Sequence, residues 1–389
     1  MNIRIYLSAA VVMTAVLSCV ALPGSLAQTS VTGISSDFNP AISVNTLLLG
    51  RLAEETTEPA YNGMDLQESE IQISSIVDPY WKADLVLAFH PGHEGEGYET
   101  DVEVARVSAQ QLPGGFGLDL GRDYLPFGKH APLHTHQFAF VESPAAVSTF
   151  LGDHSLAETG LRLSHELPLP WYADAVVYGV GGASGIFDAE FRDPAYGARW
   201  TNLLETGDSA TLELGGSWLH GRMAPGYLML EEGHETHGAL DVFGADLTWK
   251  WIDSRASRGR ALTLTGEVIL PRPEAGADSP LGWYAIAQYR FARNWWLGVT
   301  AGGLDRDLAP DDEHGAEAGD EHEHDHEHES PFAWERVIEA KANLTWAPSE
   351  FSSVRLEAAR YEDPDSDRYD TVLSLQVNFT IGSHPAHLY

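Results

Sequence analysis

Histidine is the residue type in this sequence with the clearest capacity for chemistry, and its distribution is uneven. Of the 17 histidines, four fall within the segment 321–329, which reads EHEHDHEHE. An extended backbone would place His322, His324, His326 and His328 on one face, because side chains alternate along such a chain. Imidazole suits Zn, Cu and Ni ions, and the intervening carboxylates help to retain a cation. The segment predicts a metal-capture surface of modest selectivity; the alternative is a solvated acidic loop whose histidines bind nothing specific.

Further histidines are spaced closely enough to supply metal ligands. His134 and His136 are separated by one residue, and His234 and His237 by two. The additional candidate ligands are therefore His134, His136, His234, His237 and His314. The ion, bound or transported, is expected to be Zn²⁺ or another divalent transition metal, and no cofactor is expected to be required.

Catalytic chemistry finds little support in the sequence. The single cysteine, Cys19, lies in the N-terminal segment, so the exported chain is expected to contain no thiol. The one H-E-x-x-H match, at 322–326, lies inside the low-complexity segment 321–329, and there is no phosphate-binding P-loop. The run GGASG at 181–185 lacks the strand-to-helix context of a nucleophile elbow. We predict that the protein is not an enzyme; a barrel lipase or protease is the weaker alternative.

The elements that must position these residues are predicted to be β-strands. The stretch 369–381, YDTVLSLQVNFTI, alternates apolar and polar side chains from Leu373 onward. A period of two puts five apolar side chains on one face and the amides and hydroxyls on the other. The same pattern recurs at 243–251 and 338–346, without amphipathic helices to cover the apolar faces. An all-β transmembrane antiparallel β-barrel, apolar outside and polar inside, satisfies every such strand.

Sixteen candidate strands can be placed, and 198–205 is the one that could instead be a short helix. The connections alternate between short turns and long loops, which is typical of outer-membrane barrels with short periplasmic turns and long outer loops. The longest loops are 124–156 and 303–334. The predicted strands are 41–52, 67–78, 80–90, 100–112, 115–123, 157–167, 172–184, 198–205, 209–220, 239–252, 260–270, 282–291, 294–302, 335–347, 351–361 and 369–381.

The N-terminus has the features of a secretory signal. Arg4 precedes the apolar run 5–20, and Ser25-Leu26-Ala27 resembles a cleavage site. An N-terminal membrane anchor and a lipoprotein lipidated at Cys19 are weaker alternatives. The predicted organisation is a signal peptide at 1–27, a periplasmic lead-in at 28–39 and an outer-membrane β-barrel at 40–389, with a His/acidic-rich outer loop at 303–334.

The charge balance and the polar strand faces indicate which solutes would enter the barrel interior. The formal net charge is −34, from 23 Lys and Arg against 57 Asp and Glu, which argues against nucleic acid and favours cations. Sixteen strands are wide enough for an aqueous channel. The loop 124–156 carries the apolar segment 138–141, so it either folds into the lumen or packs over the outer mouth. The residues predicted to face the lumen are Glu267, Arg290, Glu339, Lys341, Arg355 and Glu357.

Aromatic residues fall near predicted strand ends, where the membrane interface would lie. Such positions are typical of the aromatic girdles of outer-membrane barrels. The predicted girdle residues are Trp171, Tyr172, Trp283, Tyr284, Trp295, Trp296 and Trp346.

Several segments resemble zinc-regulated outer-membrane proteins of Gram-negative bacteria, which are distantly similar to the phosphate-selective porins O and P. They are NPAISVNTLLLGR at 39–51, the run containing GRDYLPFG at 112–144, GADLTWKW at 244–251 and the ending IGSHPAHLY. The resemblance implies a sixteen-stranded porin, a possible homotrimer, linked to zinc supply. The acidic composition departs from the basic lumen of phosphate-selective porins. The few residues before the first strand leave no room for the plug of a TonB-dependent receptor.

Together these features predict a passive outer-membrane porin of a Gram-negative bacterium that prefers cations and captures zinc with its outer loops. The alternative is a non-conducting surface barrel that binds metal or has a structural role. Expected partners are outer-membrane lipid and lipopolysaccharide, the barrel-assembly machinery and small ions or solutes, but not nucleic acid.

Overall fold

The chain folds into sixteen strands. The computed structural model describes residues 40–53, 62–92, 97–152, 156–190, 193–225, 227, 238–253, 259–274, 280–307, 334–363 and 368–382. The strands are β1 Ala41–Ala53, β2 Gly63–Ile76, β3 Trp81–Pro91, β4 Tyr98–Ala109, β5 Phe116–Tyr124, β6 Ala157–Glu166, β7 Tyr172–Val180, β8 Ala195–Glu205, β9 Ala210–Arg222, β10 Ala239–Ile252, β11 Ala261–Pro273, β12 Gly282–Ala292, β13 Trp295–Asp307, β14 Trp334–Ser349, β15 Ser352–Asp363 and β16 Arg368–Gly382.

The strands form one closed antiparallel barrel. Each strand pairs with its neighbours in the sequence, and β16 returns to pair with β1, with Ser43 opposite Gly382 and Ala53 opposite Val372. The prediction of a sixteen-stranded barrel is confirmed, including the segment around 198–205, which is strand rather than helix. Among the described residues, no helix is long and apolar enough to span a membrane.

The two faces of the barrel have opposite polarity. On β16, Leu373, Leu375 and Phe379 are exposed on the outside, whereas Gln376 and Asn378 are buried inside. The same alternation leaves large apolar side chains exposed around the barrel. An outward apolar face suits a hydrocarbon surrounding, because closure satisfies the backbone hydrogen bonds of every strand.

The aromatic girdle is confirmed only in part. Trp171, Trp283, Trp295 and Trp346 are each about two-fifths exposed. Tyr284 was predicted to be among them, but it is buried inside the barrel with 2% of its surface exposed. The physical reason is the period of two: adjacent residues point to opposite faces, so Trp283 and Tyr284 cannot both face outward.

Successive connections lie at opposite rims, as an antiparallel barrel requires, and the longer connections fall mostly at one rim. Several predicted loop boundaries shift, including those of the two longest loops. Strand β13 continues to Asp307, so the outer loop predicted at 303–334 is shortened to 308–333, which lies outside the described residues. Tyr124 belongs to β5 and not to the following loop.

The described residues of the connection 125–156 between β5 and β6, here termed the inward loop, lie inside the barrel. It contains a short 3-10 helix at Thr135–Gln137 and the helix α1 at Ala145–Leu151. Helix α1 follows Pro144 and ends before Gly152, whose φ of 91° favours glycine. The sequence left open whether this loop folds into the lumen or packs over the outer mouth. In the structure it folds into the lumen.

Apolar packing holds the inward loop against one side of the barrel interior. Phe127 and Phe150 have no exposed surface, and they pack in one cluster with Leu219, Val242 and Ile269 of the wall. Complete burial of such a side chain contributes roughly 1.5–3 kcal/mol. The loop is therefore an integral part of the folded barrel.

Candidate functional site

The first part of the inward loop is hydrogen-bonded to β9 and β11. The Gly128 amide donates to Ser217 Oγ at 2.9 Å, and the Lys129 amide donates to Glu267 Oε2 at 2.9 Å. The Lys129 ammonium also reaches Glu213 Oε1 at 2.7 Å. Buried backbone amides need such partners, because leaving one unpaired costs about 1–3 kcal/mol. These strands lie well away from β5 and β6, so the loop extends across the lumen.

The middle of the inward loop is bound to the opposite part of the wall. Arg355 Nη2 on β15 donates to the Phe138 carbonyl at 2.8 Å, and the Val141 amide donates to Glu357 Oε2 at 3.0 Å. Gln67 Nε2 on β2 donates to the Val141 carbonyl at 2.9 Å. The loop is thus attached on both sides of the barrel.

A buried ion pair supports the start of helix α1. Lys341 Nζ lies 3.0 Å from Glu339 Oε2, and both side chains are about 1% exposed. Lys341 also donates to the Ser143 carbonyl at 3.2 Å, and Glu339 Oε1 accepts from the Ala145 amide at 3.1 Å. The ion pair therefore satisfies polar groups of the loop that would otherwise be buried without partners.

The polar interior predicted from the sequence is present, but most of its residues hold the inward loop rather than line open water. Arg290 instead donates to the Gly259 carbonyl in the connection between β10 and β11 and lies over the Trp296 ring at 5.9 Å. The predicted interior residues that contact the loop are Glu267, Glu339, Lys341, Arg355 and Glu357.

A cavity of about 710 Å³ remains between the inward loop and the wall. Threonine and glutamine side chains from several strands line it, so its surface is largely able to hydrogen-bond. Five basic and three acidic side chains also line it: Arg106, Lys129, Arg162, Arg199, Lys250, Asp84, Asp123 and Glu213.

Most of these charges are paired with a charge on another strand or on the inward loop. Arg106 bonds Asp123 at 2.6 Å and Asp84 at 3.3 Å. Arg199 binds Asp246 through both guanidinium nitrogens, at 2.7 and 3.0 Å. Such two-point pairs fix side-chain orientation as well as charge. The cavity is therefore lined by an ordered, charged wall.

A second polar group, termed the acid–histidine cluster, consists of Glu68, Glu70, Glu103, His134 and His136. His134 Nδ1 lies 2.9 Å from Glu103 Oε2 and 3.4 Å from Glu70 Oε2. His136 Nδ1 lies 2.8 Å from Glu70 Oε1. One ligand atom each from Glu70, Glu103 and His134 all lie within 4.8 Å of one another. The cluster joins the inward loop to β2 and β4.

Two β-bulges shape the wall at this cluster. In the pairing of β1 with β2, Leu47 opposes Glu68 and Leu48 opposes Leu66, so Gln67 is an extra residue. In the pairing of β3 with β4, Glu103 is the extra residue between Val102 and Val104. Val102 is exposed outside and Val104 is buried. Glu103 faces the interior, opposite to Val102, and the bulge turns Val104 inward as well, because an inserted residue breaks the alternation of faces.

Burial and neighbouring charge act differently on the loop histidines. Burial opposes the charged form of His134, but the hydrogen bond to Glu103 and the surrounding carboxylates outweigh it and raise the pKa of His134 to about 9. Burial, together with the charge on His134, lowers the pKa of His136 to about 3. Burial, with a smaller effect of Lys341, lowers the pKa of His130 to about 3. At neutral pH only His134 of the three is charged.

The structure brings together His134 and His136, which the sequence predicted as metal ligands. Neither Glu70 nor Glu103 was predicted as a partner. Alternation with Ile71 gave a signal for Glu70, and alternation with Val102 gave one for Glu103. The remaining predicted ligands lie outside the described residues: His234, His237, His314, His322, His324, His326 and His328.

Comparison with known proteins addresses the fold. No protein-family model matches the chain. An uncharacterised protein of Aquifex aeolicus is 27% identical over 363 residues, covering 84% of this chain and 70% of that protein.

Among solved structures, the outer-membrane channel DcaP of Acinetobacter baumannii has a TM-score of 0.55 at 11% identity, covering 88% of this chain and 96% of DcaP. An anion-selective porin from Comamonas acidovorans has a TM-score of 0.53 at 10% identity, covering 88% and 98%. The trimer form of in-vitro folded OmpT of Vibrio cholerae, an outer-membrane protein, has a TM-score of 0.52 at 8% identity, covering 88% and 99%. The chain has the transmembrane barrel fold of porins.

Proposed function

We propose that this protein is a passive outer-membrane channel of a Gram-negative bacterium. The observation that carries the proposal is the cavity of about 710 Å³, bounded by charged and hydroxyl side chains, between the inward loop and the wall of a closed sixteen-stranded barrel. Barrels of this size enclose an aqueous lumen, and a loop within it restricts the size of solutes that pass. The likeness to porins and channels supports a channel rather than an enzyme.

The solute class is small and hydrophilic, with cations preferred. The formal net charge of −34 would raise the local concentration of cations. Within the proposal, the histidine-rich segment 321–329 and His314 concentrate Zn²⁺ or a similar ion near the pore mouth. Weak sites with fast release suffice, since tight sites would trap the ion.

The cavity itself opposes a strong cation preference, because its lining includes five basic and three acidic side chains. The proposed preference therefore arises at the acidic outer loops and not in the cavity. The porin of Comamonas acidovorans, described as anion-selective, shows that the same fold is compatible with the opposite selectivity.

The test is single-channel conductance in planar bilayers, with and without Zn²⁺, for the wild type and a deletion of 314–329. We expect open-channel currents, a reversal potential that indicates cation preference, and an effect of Zn²⁺ that requires the deleted segment. Currents that are indifferent to Zn²⁺ and to the deletion would contradict metal capture. Absence of current from correctly folded protein would contradict the channel.

The second candidate function is a non-conducting surface barrel that binds metal or has a structural role. The apolar cluster of the inward loop favours it, because Phe127 and Phe150 fill one side of the interior with tightly packed groups. The conductance measurement distinguishes the two candidates directly.

The proposed partners follow from the fold. A barrel with an apolar outer face requires outer-membrane lipid and lipopolysaccharide around it and the barrel-assembly machinery to insert it. A homotrimer is part of the proposal, supported by the trimer form of OmpT of Vibrio cholerae. Chemical cross-linking in detergent tests this assembly. Detection of monomer alone after cross-linking would contradict the homotrimer.

A further inference from the structure

We propose that the acid–histidine cluster binds one divalent transition-metal ion inside the barrel, with Glu70, Glu103 and His134 as ligands. The proposed ion would connect the inward loop to β2 and β4. This site is separate from the histidine-rich outer segment, and the proposal rests on the cluster geometry and not on conduction.

The ligand geometry is the first observation. His134 Nδ1 lies 2.9 Å from Glu103 Oε2 and 3.4 Å from Glu70 Oε2. In a tetrahedral site with ligand distances of ~2.1 Å, neighbouring ligand atoms are ~3.4 Å apart. The Glu70 and Glu103 oxygens lie within 4.8 Å of each other, so modest side-chain shifts would admit an ion between the three groups. One imidazole and two carboxylates, with a fourth position open, form a donor set that suits Zn²⁺, Co²⁺ or Ni²⁺.

The charge balance is the second observation. Glu68, Glu70 and Glu103 lie close together, and within the part of the chain that the structure describes no lysine or arginine bonds to them. Among the described residues, the basic side chains that contact Glu70 and Glu103 are the histidines His134 and His136. Buried charges require pairing or a metal ion. A divalent cation would supply positive charge to this group of acidic side chains.

The third observation is an unpaired acceptor at the edge of the cluster. Glu68 is 8% exposed, and its Oε1 atom is buried with no hydrogen-bond partner among the described residues. Its Oε2 atom accepts from Thr135 Oγ1 at 2.9 Å, so the side chain is fixed beside Glu70. A cation in the cluster would stabilise this otherwise unpaired oxygen.

Groups that surround the three proposed ligands are already arranged to orient them. His136 Nδ1 bonds Glu70 Oε1 at 2.8 Å, and the Tyr124 ring meets the His134 ring edge-on at 4.8 Å. Such outer contacts fix the orientation of metal ligands, and their loss typically weakens binding about 10–100-fold. The arrangement is therefore that of a built site rather than of a chance meeting of side chains.

The test measures Zn²⁺ binding by calorimetry on the full barrel with residues 314–329 deleted, so that the outer segment does not contribute. Glu70→Gln, Glu103→Gln and His134→Gln are each expected to weaken one class of sites by at least about tenfold. The matched control is His90→Gln, which removes another histidine–carboxylate pair, His90 with Asp101 at 2.8 Å, on β3 and β4. The His90→Gln control is expected to bind Zn²⁺ at the same class of sites with unchanged affinity.

Folding of each variant is checked by heat-modifiable gel mobility. If a variant does not fold, a second measurement that needs no substitution of the three ligands still tests the proposal. X-ray absorption of the zinc-loaded deletion protein is expected to show mixed oxygen and imidazole ligands. Unchanged binding in all three folded variants, or a first shell of imidazoles alone, would overturn the proposal. Because binding is read without current, the internal site and the channel can fail independently.

Discussion

Gly128 of the inward loop lies directly against Glu267 of β11. A β-carbon on Gly128 would lie only 1.7 Å from Glu267 Oε1, and the residue has a φ of +60°. Both the left-handed backbone and the close approach require glycine here. The loop therefore enters the lumen along a path that has no room for a β-carbon unless the Glu267 side chain moves.

Gly128→Ala is expected to loosen the inward loop. The left-handed conformation alone costs about 1–2 kcal/mol for a residue with a β-carbon, which corresponds to roughly 5–30-fold faster local opening. Hydrogen–deuterium exchange of peptides within 125–152 measures this opening. Gly216→Ala is the control, because a β-carbon there meets no atom within 4 Å. Equal exchange in both variants would show that the loop path does not depend on Gly128.

Lys341→Met is expected to destabilise the barrel by about 3–5 kcal/mol, since it leaves Glu339 buried without its partner. The double variant Glu339→Gln with Lys341→Met is expected to recover much of this loss. Urea unfolding followed by tryptophan fluorescence measures both. The exposed pair of Arg51 with Glu142 is the control, and Arg51→Met is expected to cost less than about 1 kcal/mol. If the double variant is as unstable as Lys341→Met alone, the loss of stability does not come from an unpaired Glu339.

His130 is expected to make the folded barrel less stable in acid. Its pKa is lowered to about 3, so between pH 6.5 and 3 the unfolded chain binds a proton that the folded chain does not. Stability is therefore lost as the pH falls, by about 2–3 kcal/mol at pH 4.5. His130→Phe keeps a ring against Phe138 and removes the titration. Between pH 7 and 4.5, the unfolding free energy of His130→Phe is expected to fall less than that of the wild type. An identical decline in the two proteins would contradict the prediction.

Two paired charges at the cavity are expected to shift ion selectivity in opposite directions. Lys129 and Glu213 form an ion pair of 2.7 Å that lines the cavity. Glu213→Gln removes a negative charge and favours anions, whereas Lys129→Gln favours cations. One charge at ~10 Å in water is worth ~0.4 kcal/mol, or about a twofold change in permeability ratio. Reversal potentials at low salt measure it, and shifts of the same sign would exclude this cavity as the ion path.

The strands were predictable because their signal is local. A period of two decides which side chains share a face, as in Leu373 and Leu375, and turn residues limit each strand. The same period could have corrected one error, since Trp283 and Tyr284 are adjacent and face opposite sides. The end of β13 at Asp307 was missed because Gly302 and Gly303 weaken the alternation there.

The sequence by itself determined the closed sixteen-stranded barrel, its apolar outer face and its polar interior, because each follows from the pattern of neighbouring residues. Only the tertiary structure decided that the inward loop crosses the lumen and that His134 meets Glu70 and Glu103. Those contacts join residues far apart in the chain, next to a bulge at Glu103, and they depend on the room beside Gly128. Neither the path of a long loop nor the insertion of one residue into a strand is specified by local periodicity.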